Sequence, residues 1–347
     1  HAPCPMPNFH IKLHRLLRSR PLLKPKHRIL AAVSGGQDSL CLIRLLLDLQ
    51  PKWGWELAIA HCDHRWPADV GNAEHLATIA KNWQVPFYLQ TAIEITASEG
   101  AARKWRYQIL QEIAQKNNYH YIVTGHTKSD LAETLLYNLI RGTGADGMQA
   151  LAWQRSLAPN VLLVRPLLAF TRQETGEFCQ QQQLPVWEDA TNQNLQYARN
   201  RIRLELLPYL QTNFNPQVEE VLAQTGELLR ADVEYLETAA SAVLQQALLL
   251  DSNRETDLDK ITLNNSIFAI KLPLQLNRQI LRSHPIALQR RAIRQVLKQI
   301  LPSAPNFEHI EKITALITAP NKSCTDPLPG GAIARVNGDY IYIEFIN

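Results

Sequence analysis

The sequence predicts an α/β fold, a doubly wound parallel sheet, followed by a second, mainly helical C-terminal domain. Three observations carry that expectation. Short β-branched apolar runs alternate with longer helical segments from His27 to Arg141, a Gly-Gly turn joins the first strand to the first helix, and beyond Pro216 the strand signals give way to a Leu/Ala/Glu/Gln-rich stretch. Alternation of this kind implies right-handed βαβ units and a parallel sheet. The 347 residues, 46% hydrophobic and 20% charged, suit two domains with a core each, at roughly 100 to 200 residues per domain.

The run His27 to Val33 (HRILAAV) ends at Ser34-Gly35-Gly36 and reads as a buried strand entering a turn. Ser39 to Leu49 has apolar residues on most faces, as a helix packed on a sheet does. The pattern continues as strand Glu56 to Ala60, helix Asn72 to Trp83, strand Pro86 to Leu89, helix Ala101 to Lys116, strand Tyr121 to Val123 and helix Asp130 to Arg141. A strand at Val161 to Val164 and helices at Arg172 to Gln183 and Arg199 to Leu210 complete the domain. Pro208 to Pro216 marks a boundary, placed near Asn215. Residues 1–24 then form a basic N-terminal extension, 25–215 the α/β domain and 216–347 a helical-plus-hairpin domain. The last contains a helix from Val218 to Leu250, a basic helix from Pro285 to Ile300, another from Glu308 to Ile317, and a hairpin turning at Asn337-Gly338 between Ala332–Val336 and Tyr340–Phe345.

The formal net charge of +4 conceals segregation. From Lys12 to Arg28 every charged residue is basic, and Lys271 to Lys298 is again free of acids, while Glu219 to Asp259 is mostly acidic. Separated basic tracts are the footprint of a polyanion, although a solvated helix face produces the same pattern. No apolar run approaches the roughly 20 residues of a bilayer helix, so a soluble, cytoplasmic protein with no membrane partner is expected. The five cysteines, Cys4, Cys41, Cys62, Cys179 and Cys324, are scattered with no C-x-x-C pair. That argues against a disulfide framework, a cysteine-rich zinc site and an iron–sulfur cluster.

The loop Ser34-Gly35-Gly36-Gln37-Asp38-Ser39 follows a strand and opens a helix, so its backbone N–H groups can converge on an anion. Neither the lysine nor the spacing of a Walker loop is present. Asp38 within such a nest would repel phosphate unless a cation stood between them, which suggests Mg²⁺ held at Asp38 beside a nucleotide. The loop resembles the pyrophosphate-binding PP-loop of ATP pyrophosphatases, which cleave ATP between the α and β phosphates to adenylate a substrate oxygen.

Further motifs narrow the resemblance. Gly125-His126-Thr127-Lys128-Ser129-Asp130-Leu131-Ala132-Glu133-Thr134 with Arg141-Gly142-Thr143-Gly144, then Arg165-Pro166-Leu167-Leu168 and Tyr197-x-Arg199-Asn200-x-x-Arg203, are similar to signature blocks of the tRNA(Ile)-lysidine synthetases. So are His61-Cys62-Asp63-His64 and Ala102-Arg103-x-x-Arg106-Tyr107. The resemblance runs from about Ile29 to Pro216 and reaches the tail through Leu328-Pro329-Gly330-Gly331. Departures are Arg65-Trp66 for Gly-Leu, Leu131 for Gln and Asp189-Ala190-Thr191-Asn192 for D-P-S-N. The resemblance implies an adenine nucleotide α hydrolase-like fold and a two-step reaction. ATP adenylates C2 of the wobble cytidine of an isoleucine tRNA with a CAU anticodon, and the ε-amine of free L-lysine displaces AMP, leaving lysidine.

Under that reading the ATP-binding residues are Ser34, Gly35, Gly36, Gln37, Asp38, Ser39, His61, Gly125 and His126. The catalytic set is Asp38, Asp130, Glu133, Arg199 and Arg203. Free lysine carries a carboxylate and an ε-ammonium with a reference pKa of about 10.4, so its site needs both charge types. Asp130 and Glu133, three apart at a helix start, share a face and suit the ammonium; Arg199 or Arg203 suits the carboxylate. The same two acids also fit an N-cap and a capping-box partner. Arg103, Arg106, Arg141, Arg290, Arg291, Arg294 and Lys298 are expected on the tRNA. Trp105 and Tyr107 read as packing residues. Two rivals stand beside this reading: a tRNA thiolase of the same superfamily, for which Cys62 is the one cysteine near the site, and a non-catalytic RNA-binding module. The sequence leaves a homodimer open.

Overall fold

In the computed structural model, residues 8–94, 98–149, 151–187, 194–248 and 273–345 are described. The D-A-T-N quartet at 189–192, the end of the helix expected to reach Leu250, the acids from Asp251 to Asp259 and Cys4 lie outside them. The chain divides into two compact units, His1–Arg230 and Ala231–Asn347.

The first unit opens with α1 (Asn8–Ser19), then β1 (Arg28–Ala32), α2 (Gln37–Trp53), β2 (Glu56–Asp63), α3 (Asn72–Asn82), β3 (Phe87–Thr91), α4 (Glu99–Lys116), β4 (Tyr121–Thr124) and α5 (Lys128–Ile140). After the short α6 (Ala145–Met148) come β5 (Gln154–Ala158), β6 (Val161–Val164), α7 (Arg172–Gln181), α8 (Ala198–Arg201), a π-helical turn at Ile202–Leu206, α9 (Leu207–Asn213) and α10 (Val218–Ala247), inside which the division falls. The sheet order is β3-β2-β1-β4-β6-β5. All pairs are parallel except β5 with β6.

Alternate strand residues feed two cores, which is why the central strands are apolar throughout rather than alternating. Ile29 and Ala31 of β1 with Leu57 and Ile59 of β2 join α2 on one face, while Leu30, Ala58 and Ala60 meet Leu110 and Ala114 of α4 on the other. From residue 8 onward the basic N-terminal segment is part of the α/β unit and not a separate extension, because Phe9, Leu13, Leu17, Leu22 and Leu23 belong to the first of these cores. The unit division also falls later than Asn215. Chain order reverses between β1 and β4, which neighbour each other. Their carboxyl ends therefore open the crevice where ligands bind in such sheets.

In the second unit, β7 (Leu274–Asn277), β9 (Tyr340–Phe345) and β8 (Ala332–Asn337) form an antiparallel sheet in the order β7-β9-β8. With α11 (Arg278–Arg282), α12 (Ile286–Ile300) and α13 (Phe307–Leu316) they enclose a core of Leu276, Ile293, Val296, Ile313, Ile341 and Ile343. The expected hairpin is present and gains β7 as a third strand.

Candidate active site

The loop after β1 turns at Gly35, whose φ of 91° is a left-handed value that favours glycine. A Cβ there would lie 2.5 Å from Asn72 Oδ1, while the Asn72 amide donates to Ser34 O at 2.9 Å and Trp187 N–H donates to Gly35 O at 3.0 Å. Gly36 caps α2 without a side-chain acceptor, so the first-turn N–H groups and the positive helix end face the crevice. Gly125, after β4, packs so closely that a Cβ would stand 2.8 Å from the Asp38 carbonyl carbon and 2.9 Å from Ser39 N. The loop residues from β1 and β4 thus form one wall of a cleft of about 330 Å³ lined by Ser34, Gly36, Asp38, Ser39, His61, His64, Gly125, His126, Arg106 and Asp130.

Two of the three cleft histidines, His64 and His126, are held neutral by burial. His61 Nδ1–H donates to Val33 O at 2.9 Å, and its Nε2 is buried without a protein partner. Burial, aided by Arg106, pushes His64 down to about 4, and its ring stacks on Trp66 at 4.9 Å. Burial likewise holds His126, at 2.9 Å from Thr124 Oγ1, well below the usual histidine range. The Gln37 side chain departs from expectation: it turns from the cleft and donates to Arg172 O at 2.8 Å, tying the loop to α7.

Arg172 joins the acids. Its Nε lies 3.2 Å from Asp38 Oδ2, Nη2 2.8 Å from Asp130 Oδ1 and Nη1 3.4 Å from Glu133 Oε1. Arg203, from the π turn, grips Glu133 bidentately at 2.7 and 2.9 Å. Thr175 Oγ1 donates to the other Asp38 oxygen. The N-cap of α5 is Thr127, not Asp130: Asp130 Oδ2 accepts from Thr127 N–H at 2.7 Å as the capping-box partner and leaves Oδ1 for Arg172. Burial works against the charged form of Asp130, yet Arg172 and the Thr127 bonds prevail and hold its carboxyl below the ordinary carboxylate value. Burial, with Asp130 nearby, outweighs Arg172 at Asp38 and pushes that carboxyl up. Three carboxylates share two guanidiniums, so the ionised cluster is one positive charge short.

A second, polar cavity of about 510 Å³ lies against the same cluster, lined by Glu133, Arg172, Arg203, Ser129, Gln217 and Glu219 among others. Arg172 borders both cavities. Arg199 is placed elsewhere, with its guanidinium over the Tyr137 ring at 5.6 Å. Sequence reading passed over Arg172, yet a signal existed: a cation in the first turn of a helix opposes the helix dipole and requires acids supplied from elsewhere.

Family models match the chain over residues 5–210, described as a PP-loop domain, and over residues 276–342, described as a TilS substrate binding domain. The tRNA(Ile)-lysidine synthase of Nostoc sp. is 63% identical over 97% of this chain and 96% of its own length. The chain belongs to the tRNA(Ile)-lysidine synthase family. The Synechocystis sp. relative of that name is 49% identical over 96% of each chain, and the chloroplastic one of Zygnema circumcarinatum is 36% identical over 88% of this chain and 79% of that one. Among solved structures, a U34-tRNA thiolase of Methanococcus maripaludis carrying a [4Fe-4S] cluster shares the fold, with a TM-score of 0.54, 16% identity and coverage of 64% of this chain and 79% of that one.

Membership in the lysidine synthase family agrees with the thiols. Cys62 and Cys179 are buried and pushed up to about 12, and burial pushes Cys41 higher still, so each stays protonated and unsuited to sulfur transfer. Among the described residues no cluster of three His, Cys, Asp or Glu side chains is arranged to hold a metal, and no helix is long and apolar enough to cross a membrane. Of the residues expected on tRNA, Arg106 lines the cleft, Arg103 lies over Tyr107 at 5.2 Å and Arg141 over Tyr137 at 5.3 Å. In the second unit, Arg290 pairs with Glu311 at 2.6 Å, and Arg291 and Arg294 both pair with Glu237 at 2.7 Å. Burial, aided by Arg294, lowers Lys298. That face is less cationic than its sequence implies. Trp105 and Tyr107 pack against the core beneath α4.

Proposed function

We propose that this protein ligates free L-lysine to C2 of the wobble cytidine of a CAU-anticodon isoleucine tRNA, converting ATP to AMP and pyrophosphate. The observation that carries the reading is the buried cluster of Asp38, Asp130 and Glu133, one positive charge short, set beside a phosphate-binding loop. A nucleotide supplies negative charge and is met by the α2 N-terminus and the loop N–H groups. An amine nucleophile supplies the missing positive charge and is met by Asp130 and Glu133.

The roles follow from chemistry. The cytidine C2 oxygen is a poor leaving group, so its adenylation comes first, with pyrophosphate departing from the α-phosphorus. Ser34, Gly36 and Ser39 hold the phosphates, and the bare Nε2 of His61 accepts from the nucleotide. Asp38, a half-buried carboxylate at the loop, is the residue that would, on releasing Arg172, hold Mg²⁺, an ion usually held by one or two carboxylates plus substrate phosphates. When bound there it would neutralise phosphate charge. The ε-ammonium of lysine pairs with Asp130 and Glu133 and yields a proton to one of them; the neutral amine forms the C2–N bond as the C2–O bond breaks, and its second proton leaves with the AMP phosphate. Arg203 is the candidate for the lysine carboxylate, on exchanging Glu133 for it. Neutral His126 carries no positive charge to repel the incoming ammonium. The setting is cytoplasmic, where tRNA, ATP and free lysine coexist.

Partial reactions test this. AMP release should require tRNA, and Asp38→Ala should abolish it while tRNA binding persists. Unchanged AMP formation in that variant would remove Asp38 from the nucleotide site.

A further inference from the structure

The acids of the cluster begin a stripe that continues along α5. Asp130, Glu133, Tyr137 and Arg141 are spaced three, four and four residues apart, so they share one face, and Ile140 lies beside it. At 1.5 Å per residue, Tyr137 stands roughly 10 Å beyond Asp130. There a groove of about 710 Å³ opens, lined by Tyr137, Ile140, Arg141, Ile202, Leu206 and Tyr209, with Arg201 and Glu205 also on its wall. The π turn that supplies Arg203 to the cluster also supplies Ile202 and Leu206 to the groove, so one element borders both sites. Ile140 is 66% exposed and Tyr209 56% exposed, an apolar and aromatic surface open to solvent. Guanidiniums frame it: those of Arg141 and Arg199 lie 5.3 and 5.6 Å from the centre of the Tyr137 ring.

We propose that this groove is a second nucleotide subsite, receiving an unstacked base of the tRNA loop one or two nucleotides from the reacting cytidine. The proposal rests on the reading that a tRNA cytidine reacts at the cluster. The exposed Tyr209 ring, with Arg141 and Arg201 on the same wall, suits single-stranded nucleic acid, with the base against the tyrosine and its phosphates at the guanidiniums. A cytidine drawn out of its loop toward the cluster carries its neighbours along the same face, so the groove lies where an adjacent base arrives. A protein partner would find the rim charges less complementary than a phosphodiester does.

The test measures the affinity of the full chain for tRNA transcripts in the absence of ATP and lysine, with the base removed in turn from each position flanking the wobble cytidine. Tyr209→Ala should weaken binding of the intact transcript about tenfold, the scale of one stacked base, whereas Tyr209→Phe should retain it. At one flanking position, removal of the base should cost the wild-type protein about as much and cost Tyr209→Ala nothing further. Losses that multiply at every position would overturn the proposal. So would unimpaired tRNA binding by Tyr209→Ala with an altered sedimentation coefficient, which would assign the groove to a second copy. If Tyr209→Ala does not fold, Ile140→Ser reads the same cycle. A wild-type protein that couples to the base but transfers no lysine would refute the proposed reaction and leave the subsite standing.

Discussion

At the scale of single residues, Arg172 is the side chain on which three carboxylates depend, and its removal would leave them facing Arg203 alone. Breaking a largely buried ion-pair network exposes uncompensated charge, so Arg172→Gln should destabilise the first unit by about 3 kcal/mol, read from denaturant midpoints at neutral pH. Glu133→Gln keeps the shape but halves the charge available to an ammonium. It should lower lysine transfer about a hundredfold while AMP formation on tRNA persists, as expected for loss of a general base; equal losses in both steps would contradict a role confined to the amine. His64 gives a pH prediction. Its folded value of about 4 lies below the ordinary 6.5, so between these values the unfolded chain binds the proton more readily. Stability present above pH 6.5 is lost as pH falls toward 4. His64→Asn should reduce the difference between melts at pH 7.5 and 5, the remainder resting on His126, which burial also lowers; an unchanged difference would remove His64 from the acid sensitivity. Asp38, Asp130 and Glu133 were legible in the sequence because their motifs are local. The pairing of Arg203 with Glu133 bridges residues 70 apart, a separation that no spacing rule spans.

At the scale of elements, the parallel strands announced themselves through continuous apolar runs, because both their faces are buried. β5 (QRSLA) did not, since as an edge strand it is largely exposed and polar. The helix expected from Arg199 to Leu210 is instead α8, a π turn and α9. Pro208 lacks an N–H and excludes the carbonyl four residues back, which is a physical reason for the widened turn that precedes it. That turn carries Arg203. The close approach of the β4 loop to α2 was also invisible in sequence, although the glycine that permits it was not. Gly125→Ala would press a methyl against the Asp38 and Ser39 backbone at 2.8 to 2.9 Å. It should displace the α2 N-terminus and weaken ATP binding more than tenfold with the fold retained; ordinary nucleotide affinity would show that the two loops are not coupled.

At the scale of the whole molecule, net charge was a poor guide to where cations are available. The basic helix α12 directs Arg291 and Arg294 at Glu237 and Arg290 at Glu311, partners 54, 57 and 21 residues away. If this unit contacts tRNA through that face, Glu237→Gln removes the negative charge that offsets two guanidiniums. It should tighten tRNA binding and steepen its salt dependence by one to two units of slope, at about 0.9 per phosphate for duplex; an unchanged slope would place the contact elsewhere. The proposed reaction joins a cluster that takes an amine to a loop that takes a nucleotide. Its most direct test gives the protein ATP, labelled lysine and two transcripts with CAU anticodons, one of isoleucine type and one of methionine type. Label in the isoleucine transcript alone, with one AMP per lysine, is the predicted result; label in neither, or AMP released without lysine incorporation, would contradict it.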